Sequence, residues 1–555
     1  MGESSSEGSS GPGQAAARHI AVWEDTVPVD TADLPDRQLL IGVDAMEWTL
    51  VKKWMAEGKL PALQKIAAEG LRAELRSFGD CVPDAVWTTF SYGVNPGKLQ
   101  KYFYVQYDYK LGRLRYAHDH ELTGKQFWQY LSAAGKRVGV ADMPHLPPHE
   151  IPNGFLLMNW GAHDNKHRLV AYPPPMLDEV KQKFGRHPME DCERYNKNLA
   201  SMRRLRDDIL LGIRRHGEMF RWLMQSRPWD VLVCCFAAAH SSGHHFWCYM
   251  DPNHPDYRPG DPLGFEDTVE RAYRAIDREI GEMVEAAGER TRVLVFAPHG
   301  MGQLSHASWN LNEMLDLWGF ASGERREVRP AERRGQINPW RILKMIFPAR
   351  WQYAIKESLP RSWQDYLLFL WYAGRIRYKG LRAFAVPNNE VVGAICISVK
   401  GRDREGLVEP GAEYRELRDR IREALIELTD AATGRRVVRD VIYLHERFHG
   451  PFVEQLPDIA VFWDSTFHWD AVQSPRFGTL RLRSQDRRSG SHSANSFLLA
   501  RGPGVPRGVE VEGCTPLDIP AWVLDTAGVP VPADLDGKPI SVPREQPAAF
   551  KSARP

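Results

Sequence analysis

His240 and His244 stand four residues apart in FAAAHSSGHHFW, directly after the apolar run WDVLVCC. Imidazole is the commonest side-chain ligand for transition metals. Set where a strand has just ended, the two rings are either ligands or ordinary polar residues of a loop. Two further segments repeat the arrangement. Asp44 ends the apolar run of QLLIGVDAMEW, and His299 follows that of TRVLVFAPHG. In a mostly parallel sheet ligands sit beyond the carboxyl ends of the strands, and all three segments place a polar residue there.

The elements that must carry these residues follow from the pattern of apolar residues. Leu39 to Val43, KRVGVADMP (136–144), WDVLVCCF (229–236) and TRVLVFAPHG (291–300) are short apolar runs of buried-strand type. LPALQKIAAEG, closed by Gly70, and ERAYRAIDREIGEMVEAAG (270–288) read as helices between them. Strands alternating with helices predict an α/β fold, a mostly parallel sheet covered by helices on both faces. Residues 322–385 break the alternation with a charged loop and then Trp340, Trp351, Trp363 and Trp371 among many Lys and Arg. This reads as an inserted helical cap over the pocket mouth, with peripheral membrane contact as a second role. Strands return at AICISVKG, VVRDVIYLHE and DIAVFW, with an amphipathic helix at YRELRDRIREALIELTD. The expected organisation is a disordered tail over 1–37, a core in two parts (38–321 and 386–543) around the cap, and a C-terminal tail over 544–555.

Bulk properties exclude more than they assign. The chain has 555 residues and a formal net charge of +1, which offers no general attraction for nucleic acid. Seven cysteines, two of them adjacent in an apolar run, suit core thiols and a reducing, cytoplasmic setting. The Gly/Ser-rich start lacks the apolar stretch of a signal peptide, although MGESSS matches the N-myristoylation pattern. No apolar run is long enough for a transmembrane helix. Oligomeric state is not readable.

IGVDAMEW, WTTFSYGVNPGK, AHSSGHHFWCYMDPNHPDY, VLVFAPHGMGQ with WNLNEMLDLWG, and GSHSANSFLLARGPGV occur in this order. Together they resemble the alkaline phosphatase superfamily, in particular its type I phosphodiesterase/nucleotide pyrophosphatase branch, over roughly residues 38–540. The resemblance implies an alkaline-phosphatase-like α/β fold and two zinc-type sites flanking a nucleophile. Carried over by position, one site comprises His240, His244 and His492, and the other keeps Asp44 and His299. Three departures stand out. His240 replaces the family's Asp, Pro298 replaces the Asp of its Asp-His-Gly, and the nucleophile position read back from Gly93 falls on Pro83. Three neutral imidazoles suffice for zinc and leave a fourth position for water. Asp44 and His299 alone would hold a second divalent metal weakly, or act as a hydrogen-bonding pair. One tightly bound zinc is therefore expected.

The nucleophile has several candidates. Cys81 heads a Cys-Val-Pro that resembles the sulfatase motif, with Ala85 where the arginine belongs. Asp84 could serve as base or ligand. Thr88 and Thr89 carry hydroxyls, or cap a helix. A water activated on the metal requires none of them. Lys98, Arg487 and Arg488 could grip an anionic ester. The expected function is metal-dependent hydrolysis or transfer on a small anionic phosphate- or sulfate-type ester. Group transfer in specialised metabolism and a non-catalytic anion-binding descendant of the fold are the alternatives.

Overall fold

The computed structural model describes residues 18–21 (backbone only), 35–78, 81–117, 121–161, 169–189, 198–261, 263–324, 363, 378–388, 391–483 and 488–541. A ten-stranded sheet forms the centre. From one edge its strands are Arg18–Ala21, Val509–Glu512, Leu71–Arg76, Asn495–Arg501, Thr291–Ala297, Arg37–Val43, Val231–Phe236, Val138–Ala141, Gly154–Met158 and Val170–Tyr172. The five strands from Thr291–Ala297 to Gly154–Met158 run parallel, and Asn495–Arg501 is antiparallel to both its neighbours.

Strand Arg37–Val43 shows why the sheet is buried on both faces. Leu39, Ile41 and Val43 point into one apolar cluster, and Leu40 into another. Successive side chains of a strand alternate between faces, so an unbroken apolar run needs cover on both. Helices Trp48–Ala56, Pro61–Glu69, Leu199–Ser226 and Thr268–Ala287 contribute to the first cluster. Helices Val86–Tyr92, Phe127–Ala133 and Asp518–Thr526 contribute to the second. Thr268–Ala287 is the segment expected to be helical at 270–288, and Pro61–Glu69 is followed by Gly70.

The chain departs from the expected organisation in two places. Arg18–Ala21, inside the tail expected to be disordered, pairs in parallel with Val509–Glu512. That strand would otherwise be an edge with unpaired backbone groups, which recruits whatever segment can reach it. Residues 383–482, the end of the expected cap and the start of the expected second part of the core, build sheets of their own. Ala383–Val386, Val392–Ile397, Ile459–Trp463 and Val438–Tyr443 form a four-stranded antiparallel sheet with separate apolar clusters. Apolar runs mark a strand but not the sheet it joins. The chain returns to the central sheet at Asn495–Arg501. The expected cap, including Trp340, Trp351 and Trp371, lies almost wholly outside the described residues; only Trp363 is described, and it is exposed. Among the described residues no helix is long and apolar enough to cross a membrane.

Candidate metal centre

Three parallel strands deliver the site. Arg37–Val43 ends at Asp44, whose backbone N–H donates to Phe236 O at 2.9 Å. Val231–Phe236 runs into helix Ala238–Met250, so His240 and His244 lie on a helix rather than in a loop. Four residues is about one turn, which stacks the rings on one face. Their centroids are 4.4 Å apart. Thr291–Ala297 ends just before His299, and strand Gly300–Gln303 then pairs with Gly490–Ser493, setting Met301 opposite His492.

Asp44, His240, His244, His299 and His492 meet beyond the carboxyl edge of the sheet, all buried. The His492 ring centroid lies 4.8 Å from that of His240, 5.2 Å from that of His244 and 4.5 Å from that of His299. Potential ligand atoms of His240, His244 and His492 all fall within 4.8 Å of one another. Among the described residues these three form the one group of His, Cys, Asp or Glu so arranged.

Hydrogen bonds orient the rings. His240 Nδ1 donates to Asp44 Oδ2 at 2.9 Å, and His244 Nδ1 to Gly490 O at 2.7 Å. Each bond fixes the tautomer, with the proton on Nδ1, as a histidine that ligates through Nε2 requires. His244 Nε2 is buried with no hydrogen-bond partner among the described residues. Burial holds the His244 pKa well below its usual value, with His240, Arg488 and His492 adding to the effect, so the ring is neutral. A buried lone pair aimed at two other imidazoles fits a divalent metal of zinc type.

Asp44 acts through its neighbours. Its Oδ1 accepts from Trp87 Nε1 at 2.7 Å and faces His299 Nε2 at 3.2 Å. The 3.2 Å approach of His299 Nε2 to Asp44 Oδ1 has the geometry of a hydrogen-bonding pair. Trp87 reaches Asp44 because Gly42 has no side chain: a Cβ there would lie 2.7 Å from the indole. Pro298 contributes its carbonyl, which accepts from Ser77 Oγ.

Glu47 and Trp87 are absent from the residues singled out in the sequence. Glu47 Oε2 accepts from Met301 N at 3.1 Å and Ser493 Oγ at 2.6 Å, and Oε1 from Asn495 Nδ2 at 2.6 Å. This buried carboxylate clamps the ribbon that carries His492. A second acid three residues after Asp44 was the available signal, but its partners lie over 250 positions away.

The other expected residues are placed differently. Cys81 is fully buried in an apolar cluster with Phe384, Cys396 and Phe462, a setting that keeps a thiol inert rather than nucleophilic. Asp84 lies half-buried in the turn Pro83–Ala85. Thr88 and Thr89 stand inside helix Val86–Tyr92, whose cap position is Ala85, so neither caps it. Thr88 Oγ1 is buried without a hydrogen-bond partner among the described residues, while Thr89 Oγ1 donates to Val86 O at 2.9 Å. Lys98 is engaged within the protein: its ammonium donates to Asp536 Oδ1 at 2.6 Å and Asp534 O at 2.8 Å, anchoring the C-terminal segment. Arg488 is half-buried and close enough to act on His244. Arg487 lies outside the described residues.

A mostly parallel sheet with histidines converging beyond its carboxyl edge defines an α/β protein of the alkaline-phosphatase-like fold. The sequence match is more specific. The type I phosphodiesterase/nucleotide pyrophosphatase family matches residues 38–470, and the chain belongs to that family of phosphoesterases. Among solved structures, an inactive variant of murine ectonucleotide pyrophosphatase/phosphodiesterase 5 in complex with AMP is 13% identical, with a TM-score of 0.44, covering 90% of this chain and 96% of its own. Phosphonoacetate hydrolase from Sinorhizobium meliloti, in complex with phosphonoformate, is 14% identical, with a TM-score of 0.48, covering 89% and 96%. No curated protein matches the chain.

Proposed function

We propose that this phosphoesterase acts through one divalent ion, zinc by its donor set, held by His240, His244 and His492. The observation that carries the reading is the buried trio itself, with tautomers set by Asp44 and Gly490 O. When bound, such an ion polarises a phosphoryl oxygen and lowers the pKa of a water. The protein's own residues do the rest. Asp44 makes His240 a stronger donor and fixes its ring. Trp87 and His299 hold Asp44 in place. Glu47 keeps His492 facing the other two rings. Arg488 adds positive charge beside His244, suited to an anionic ester. The substrate is a small anionic phosphate ester.

The buried Cys81 and Thr88 and the engaged Lys98 favour a second reading, a non-catalytic descendant that binds an anionic ligand. Metal content separates the two. Elemental analysis of the purified protein should find about one equivalent of zinc. Aryl phosphate mono- and diesters and an aryl sulfate, tested as a panel, should show turnover of a phosphate ester. His244→Ala should abolish both metal and turnover, whereas His299→Ala should keep metal near one equivalent and slow turnover. Two tightly held ions, or full retention after His244→Ala, would overturn the single-ion site.

A further inference from the structure

The exposed stripe of helix Thr268–Ala287 runs against the helix dipole. A helix start is partially positive and its end partially negative, which favours acids early and bases late. Here Arg271, Arg274 and Arg278 come first, then Glu282 and Glu285, with exposed Glu289 just past the capping Gly288. The last turn holds no base. These positions recur every three or four residues and so share one face, with Gly281 at the change of sign. Local ion pairs leave the stripe largely available. Arg271 reaches the capping Asp267 only at 3.9 Å, and Arg278 reaches Glu279 at 3.9 Å. Arg274 reaches Glu270 at 3.5 Å, but Glu270 also holds Lys59 at 2.7 Å. Glu282 meets Arg221 at 3.0 Å, a guanidinium that also holds Glu279 at 2.7 Å. Exposed pairs of this kind are worth little and exchange partners readily. Glu285 and Glu289 form no ion pair among the described residues, and Arg290, next to Glu289, is held by Asp36 at 2.6 Å.

The stripe borders an open cleft of about 1300 Å³, lined among others by Pro61, Ala62, Leu210, Leu211, Ala275 and Gly281. Leu211 is 36% exposed. Apolar surface inside a charged rim is the anatomy of a protein contact. Asp207 and Arg214 complete the rim; Asp207 is held by Arg206 at 2.9 Å, and Arg214 lies 3.9 Å from Glu218. We propose that this face is a two-fold interface with a second copy of the chain, the two Thr268–Ala287 helices crossing antiparallel near Gly281. A two-fold contact brings one patch against itself, so the patch must be self-complementary. The stripe is: an antiparallel crossing sets Arg271 opposite the partner's Glu289, Arg274 opposite the partner's Glu285 and Arg278 opposite the partner's Glu282, each twice. Each helix end gains the counter-charge that its own sequence denies it. Gly281 has no side chain above the backbone, so the helices can approach closely there. A uniformly acidic or basic partner would meet its own sign over half of the stripe, so charge selects a second copy.

Analytical ultracentrifugation of the full chain over a range of concentrations tests the interface. The protein should form a dimer whose Kd rises at least about tenfold from low to high salt, because exposed charges are screened. Two charge-reversed variants decide which face is used. Arg271→Glu with Arg274→Glu makes the stripe wholly acidic over its paired positions, and Glu285→Arg with Glu289→Arg makes it basic there. Each alone should weaken the dimer at least about 100-fold, since like charges then face each other. Mixed in equal amounts, the two variants should recover a dimer, because each supplies the sign that the other lacks. Thermal unfolding of the dilute variants controls for folding, and exposed substitutions of this kind should leave it nearly unchanged. Should either double variant fail to fold, Arg274→Glu and Glu285→Arg as single substitutions repeat the exchange, each weakening the dimer at least about tenfold. A protein that stays monomeric at every concentration overturns the proposal and leaves the face to an unlike partner. A dimer indifferent to both reversals, or variants that stay monomeric when mixed, overturns it equally.

Discussion

At the scale of single residues, Asp44 and Glu47 hold the convergent histidines in place through hydrogen bonds. Asp44 is fully buried and engages His240, His299 and Trp87 at once. Asp44→Asn removes the charge that strengthens His240 as a donor. Tight zinc binding should weaken about 10- to 100-fold, measured by competition with a chelator. Unchanged affinity would make Asp44 a packing residue only. Glu47→Ala should cost about 2–4 kcal/mol in denaturant unfolding, because Ser493, Asn495 and the Met301 N–H lose their acceptor together. It should also weaken metal binding although all three histidines remain. Loss of stability without loss of affinity would show that the ribbon holds its position unaided.

Among the elements, strand Val138–Ala141 carries a second buried polar centre that the metal site does not use. It ends at Asp142, which accepts from Trp160 N and Gly161 N, both at 2.8 Å, and pairs with His216 Nε2 at 2.7 Å. His187 lies beside His216, ring centroids 5.0 Å apart, and bonds Met189 O at 3.0 Å. Burial, helped by His216, pushes the His187 pKa down to about 4 from its usual 6.5. Between these values the unfolded chain takes up a proton that the native state refuses. The stability contribution is therefore full above pH 6.5 and is lost as pH falls toward 4, by about 3 kcal/mol. His187→Asn keeps a donor for Met189 O but cannot titrate. Its unfolding free energy should fall less steeply over that window, by about 1.4 kcal/mol per pH unit where the proton difference is complete. An unchanged slope would show that His187 does not drive the dependence.

For the whole molecule, the two largest sheets among the described residues differ in what they carry. All five convergent site residues lie on the central sheet, its helix or its ribbon. The antiparallel sheet is held by Arg402, which bonds both oxygens of Asp458 at 2.8 and 2.9 Å and lies over the Tyr109 ring. Asp458 also accepts from Ile397 N at 2.7 Å and Tyr414 OH at 2.8 Å. Arg402→Met leaves that buried carboxylate without its cation and should cost about 3–5 kcal/mol. Hydrogen exchange should speed up across 383–463 and not in the central strands, with metal content unchanged. Equal acceleration in both sheets would mean that they unfold as one unit.

Local pattern by itself determined the strands that end at Asp44, His240 and His299, because a strand buried on both faces writes an unbroken apolar run. The resemblance added His492 and the family. The helix under His240 and His244 was not legible: AAAHSSGHHFWCYM has no polar face, since nearly every side of it is buried. Only tertiary structure decided the roles. Asp44 meets Trp87 because Gly42 leaves room for the indole. Lys98 is structural because Asp536, 438 positions away, folds back onto it. Glu47 gained its meaning from a ribbon between segments nearly 190 residues apart. Period and composition report what a residue's near neighbours require. Which distant backbone meets it is set by sheet order, and no short stretch of chain contains that order.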